Sequence, residues 1–104
     1  MVDRDSLLSS RLRLPEHVVH RSFVAETVIL NLQTGKYHGL NPMGGHMLEV
    51  LGESPDVRSA AEQVASEYDQ DPAVVENDFV AFCSDLMERG LVEVATDDAG
   101  APDG

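Results

Sequence analysis

Midway along the chain the spacing of apolar residues changes period, and this constrains the fold more than any other feature of the sequence. Up to Leu40 the pattern is that of strands. Val28, Leu30 and Leu32 alternate with Thr27, Ile29 and Asn31, so one face is fully apolar and the other mixed. Gln33, Thr34, Gly35 and Lys36 then supply turn chemistry, with Gly35 able to take a positive φ, and a short strand resumes over residues 36–40. Val18, Val19, Phe23 and Val24 bring the β-branched and aromatic side chains of an earlier strand. From Asn41 onward the period is helical. Asn41 followed by Pro42 is an N-cap with proline at the first helical position, and Met43, Met47, Leu48 and Leu51 follow at helical spacing. Gly44 and Gly45 lower the propensity of this helix, so it depends on packing. Ser54 or Asp56 caps a second helix, with Val57, Ala60, Ala61, Val64, Ala65 and Tyr68 on its inner face. Asp71 and Pro72 repeat the cap-plus-proline signal and open the longest helix, over residues 72–89, which Gly90 ends. Residues 91–94 form a last short strand or an extended segment.

Strands first and helices after predict an α+β domain: a three-stranded antiparallel sheet followed by three helices. Helices with a hairpin also resemble a winged helix-turn-helix, which raises the question of DNA. A length of 104 residues fits one domain, and with aromatics at 5% its core must be mainly aliphatic. Residues 1–10 are polar without a period, and residues 96–104 are acidic and contain Gly and Pro, so both read as flexible tails around an ordered domain at residues 11–95. The single cysteine, Cys83, precludes an internal disulfide. With no signal-peptide core and no apolar run near the ~20 residues of a membrane span, a soluble cytoplasmic protein is expected.

The charge is unevenly spread. The first 48 residues hold five basic against four acidic residues, while the remaining chain holds two against fifteen. Such a C-terminal half repels a nucleic acid duplex or an anionic membrane, but not a neutral or cationic peptide. The last helix sharpens the point. As a winged-helix recognition element it would meet phosphates with Glu76, Asp78, Asp85 and Glu88 against Arg89 alone.

On a helical projection Val75, Phe79, Phe82 and Leu86 form one stripe of that helix, with Val80, Cys83 and Met87 on the adjoining flank. The arc is wider than one packed face requires. Either the helix is buried on two sides, or part of the arc lines an open groove. The strand at residues 36–40 presents a similar choice. As the last of a meander it is exposed along one side, so it is either an ordinary protected edge or a site where a peptide adds as a further strand.

Nothing in the sequence calls for catalysis or a cofactor. His17, His20, His38 and His46 lack metal-ligand spacing, Gly44 and Gly45 lack the lysine of a phosphate loop, and no serine sits in a nucleophile elbow. Cys83 has no neighbouring base and reads as a small core hydrophobe.

The segment at residues 26–44, ETVILNLQTGKYHGLNPMG, resembles the PqqD family in its strand, Thr-Gly turn, aromatic residue and Leu-Asn helix start. Asp71, Val75, Asp78, Phe79, Phe82, Leu86, Gly90, Leu91 and Val92 extend the likeness, which covers about residues 14–94. The resemblance implies a non-catalytic module on which the leader of a ribosomally made precursor peptide adds as a strand to residues 36–40. It implies a groove between that strand and the last helix. The expected peptide-binding residues are Lys36, Tyr37, His38, Gly39 and Leu40 from the strand, and Val75, Asp78, Phe79, Phe82 and Cys83 from the helix. Asp78 and Asp85 would stand at the rim, available to leader cations, while hairpin register decides whether Tyr37 reaches the groove or packs beneath it. The implied partner enzyme is a leader peptidase, as in lasso peptide maturation, or a radical SAM enzyme, as in the quinone cofactor pathway; the sequence resembles the two types about equally, and the lasso type is weakly favoured. A winged-helix transcription regulator is the alternative from another class.

Overall fold

The computed structural model describes residues 4–95. Its elements run in the order α1 (Arg4–Leu8), β1 (Leu12–Arg13), β2 (Val18–Ser22), β3 (Thr27–Asn31), β4 (Tyr37–Leu40), α2 (Pro42–Glu53), α3 (Val57–Tyr68), α4 (Pro72–Glu88) and β5 (Glu93–Val94). The α+β expectation holds: β2, β3 and β4 form an antiparallel sheet in that order, followed by α2, α3 and α4. The described residues contain four helices rather than three. The additional one, α1, differs from the expectation of a flexible tail over residues 1–10 within its described part, residues 4–10, because Leu7 and Leu8 are both buried in the core. Two adjacent leucines among polar residues carry no helical period, yet one turn suffices to drive both inward. The acidic segment at residues 96–104 lies outside the described residues.

Local chemistry sets the element boundaries. The β3–β4 turn is held by the Asn31 side chain, whose Oδ1 accepts from the backbone N–H groups of Gln33 at 2.9 Å and Thr34 at 3.2 Å. Gly35 takes φ +76° there, a conformation that costs a side-chain-bearing residue strain. Asn41, Asp56 and Asp71 each cap a following helix by accepting from a backbone N–H. At the other end of α4, Gly90 at φ +71° lets Leu91 N–H turn back to the Leu86 carbonyl at 2.9 Å. Phe23 and Val24, expected in a strand, instead form the β2–β3 turn, closed by Phe23 N–H to the Glu26 carbonyl at 2.7 Å. Their β propensity yields to the need for a connection, and both are exposed.

The core lies between one face of the sheet and the helices, with Ile29, Val50, Val57, Phe79 and Leu86 among its most enclosed side chains. Helix α2 approaches the sheet closely at Gly45, where an added Cβ would collide with Thr27 Oγ1. The glycine that weakens the isolated helix is therefore what lets it reach the sheet. A second, two-stranded sheet joins β1 to β5, pairing Leu12 with Val94 and Arg13 with Glu93, and an Arg13–Glu93 ion pair at 2.9 Å lies across it. Among the described residues no helix is long and apolar enough to cross a membrane.

Candidate functional site

The sheet has two edge strands among the described residues, β2 and β4, and β4 is the one that shares a cleft with the end of α4. Register pairs Leu30 with Tyr37, Ile29 with His38, Val28 with Gly39 and Thr27 with Leu40. Facing residues in an antiparallel ladder alternate between hydrogen-bonded and non-bonded pairs. Asn31 N–H donates to the Lys36 carbonyl at 2.9 Å, so Lys36, His38 and Leu40 turn their backbone groups toward β3. Tyr37 and Gly39 therefore present their N–H and C=O groups along the outer edge, where no described strand pairs with them. The same register settles the position of Tyr37: it shares a face with Leu30 and Val19 on the side of the sheet away from buried Ile29, and is 76% exposed. Leu40, on the opposite face, is buried, and His38 is half-buried beside it.

Helix α4 forms the second wall. The structure divides the expected helix residues into two groups. Val75, Phe79 and Cys83 are buried, Phe79 and Cys83 completely, so they do not line an open groove. The wide apolar arc is explained by packing on two sides: α3 lies along α4, and α1 covers it as well. Burial pushes the Cys83 thiol up to about 12, which leaves it a protonated hydrophobe. Asp78 is exposed and Phe82 half-buried, and these two remain available. With Asp85 and Arg89 they form a single stripe at i, i+4, i+7 and i+11. Phe82 locates that stripe, since its ring edge would lie 3.6 Å from a Cβ on Gly44, just beyond β4, and Leu40 packs against the same point.

At the turn end of β4 the space between strand and helix opens into a cleft of about 360 Å³, lined by Asn31, Thr34, Lys36, Tyr37, His38, Arg89 and Leu91. Arg89 and Leu91 were not among the residues expected from sequence, although Arg89 continues the helical spacing from Asp78 and Asp85. The rim charges are also rearranged. Arg89 Nε donates to both Asp85 carboxylate oxygens, at 3.2 and 3.1 Å, so Asp85 is already paired and Asp78 is the rim acid left without a salt bridge among the described residues.

Elsewhere, His46 Nε2 and Glu67 Oε1 lie 2.6 Å apart and link α2 to α3, and this hydrogen bond holds the Glu67 carboxyl below its ordinary range. Among the described residues no group of three His, Cys, Asp or Glu side chains is arranged to hold a metal ion.

The chain is a small mixed sheet-and-helix domain with an unpaired strand edge beside a helix, an arrangement open to strand addition. The family model described as Coenzyme PQQ synthesis protein D (PqqD) matches residues 26–92. The chain belongs to the PqqD family. Among solved structures it is similar to "TbiB1 in Complex with the TbiA(beta) Leader Peptide", with 30% identity, a TM-score of 0.73, and coverage of 82% of this chain and 99% of that one. The same fold recurs in "Lasso peptide synthetase B1 complexed with the leader peptide", at 23% identity and a TM-score of 0.73, covering 81% of this chain and 99% of that one. No curated protein matches.

Proposed function

We propose that this chain is a non-catalytic module that binds the leader of a ribosomally synthesised precursor peptide by strand addition to β4 and delivers it to a modifying enzyme. The observation that carries the reading is the outward-facing backbone of Tyr37 and Gly39 beside the Asp78–Phe82–Arg89 stripe of α4. Main-chain hydrogen bonds to that edge supply affinity without regard to sequence, and the side chains of the two walls supply selection. Holding a leader beside an enzyme raises the effective concentration of the segment to be modified, so the module needs no catalytic group of its own. The likeness to TbiB1, whose structure contains a leader peptide, supports leader binding, and the resemblance of the sequence to lasso-pathway leader-binding proteins is the reason to favour a lasso-type pathway and a leader peptidase as the enzyme served. A quinone-cofactor pathway with a radical SAM enzyme is the second version of the same function. The winged-helix regulator is disfavoured on charge, because α4 offers Glu76, Asp78, Asp85 and Glu88 where phosphate contact needs cations.

The test is fluorescence anisotropy with labelled leader peptides from precursor genes encoded beside this one. The informative variant is Gly39→Pro. It removes an N–H on the outer edge, where proline is tolerated, and leaves the β3 ladder intact; a side chain at Gly39 meets nothing closer than 3.6 Å. Binding by the parent and a loss of at least ~tenfold in a folded Gly39→Pro protein is the expected outcome, about the value of one hydrogen bond plus a blocked approach. A leader that binds both proteins equally would rule out strand addition at this edge.

A further inference from the structure

The two ends of the β4–α4 groove differ in charge, and the difference bears on which leaders fit. This inference rests on the strand-addition reading. One helical turn before Phe82, which lies near Leu40 and Gly44, α4 carries the exposed Asp78, which has no cationic partner among the described residues. At the turn end Lys36 and Arg89 line the same cleft. Arg89 uses Nε on Asp85, and Lys36 is exposed and forms no ion pair among the described residues. The Thr34 hydroxyl and the half-buried His38 ring complete a polar lining. Leu91, buried just beyond Gly90, supplies an apolar wall at the same place.

We propose that the Lys36–Arg89 cleft is the subsite for an acidic side chain of the leader, and that this contact fixes which way round the leader adds to β4. Lys36 and Arg89 line one cleft that a side-chain carboxylate would enter, and a guanidinium binds carboxylate through paired N–H groups. Asp78 repels the same carboxylate at the far end of the groove. A leader reversed on the strand would put its acid near Asp78 and lose both effects, so the charge gradient along the groove acts as a polarity signal. Because the side-chain period of a strand is two, the acid must lie on the same face of the leader as the residue that covers Phe82.

The experiment uses the full chain and the neighbouring leader peptide, with each Asp and Glu of the peptide replaced in turn by Gln and by Lys. One position is expected to dominate, weakening binding by ~fivefold as Gln and by more as Lys. Lys36→Glu should weaken the parent leader by ~tenfold, and should restore binding of the Lys-substituted peptide at that one position only. Arg89→Gln provides a second variant that alters the cleft without reversing charge, with folding checked by circular dichroism. Parent leader bound equally well by Lys36→Glu and Arg89→Gln, or by the protein when every leader acid is neutral, overturns the acidic subsite and leaves strand addition standing. Failure of the parent protein to bind any neighbouring leader removes the strand-addition reading, and this inference with it. Weakening of binding by Gly39→Pro, but not by the cleft variants, separates the two.

Discussion

Helix α4 carries two stripes that share seventeen residues of backbone and differ in almost everything else. Val75, Phe79, Cys83 and Leu86 are buried and form part of the core cluster. Asp78, Phe82, Asp85 and Arg89 run beside the open edge of β4 and include one half-buried side chain. The first stripe holds the domain together, and the second is available to something outside it. Stability and recognition therefore occupy one rigid element, which positions the recognition stripe without relying on a loop.

The largest effect should come from the buried stripe. Phe79→Ala is expected to cost about 3–5 kcal/mol, a large part of the total stability of a domain this size, measured by urea denaturation. Cys83 offers an independent readout. A thiol this buried should resist alkylation in the native protein at neutral pH and react in the Phe79→Ala variant. If Phe79→Ala were to weaken leader binding while leaving the unfolding midpoint unchanged, the division between stripes would be wrong. Next, Gly45→Ala should destabilise by about 1–2 kcal/mol despite the better helix propensity of alanine, because the new Cβ meets Thr27. Combining it with Thr27→Ala should recover part of the loss. Phe82→Ala should cost only about 1 kcal/mol of stability, as expected for a half-buried ring, but weaken leader binding by ~tenfold. The smallest effect belongs to Asp85→Asn, which breaks an exposed ion pair and should change stability by less than ~0.5 kcal/mol. The same variant is expected to strengthen binding of an acidic leader, since it removes the anion that competes for Arg89; weaker binding would count against the cationic cleft.

Features governed by near neighbours in the chain were legible in sequence. The caps at Asn41 and Asp71, the turn at Gly35 and the stop at Gly90 all involve partners within a few residues, so residue type and spacing sufficed, while of the two candidates Ser54 and Asp56 the structure selects Asp56. What was not legible depends on distant packing. The apolar arc of α4 was visible, but which part of it is covered depends on α1, whose five residues carry no pattern. Tyr68, expected on the inner face of α3, lies 48% exposed with its ring edge toward His46, because the helix ends before the core reaches it. Near the cleft, the third strand of the sheet was read from sequence, whereas Leu91 enters through a turn at Gly90 that brings the chain back toward β4, beside Arg89.

The pairing of β1 with β5 has a kinetic consequence. The Arg13–Glu93 contact closes a loop of 80 residues, so its entropic cost is met late, after the intervening sheet and helices have shortened the path between its ends. Folding should then end in a slow docking step, in which Leu12, Leu91 and Val92 become covered together. Until that step is complete, Leu91 is not fixed at the foot of the cleft, so a nascent chain would acquire its recognition surface only when its last strand is in place.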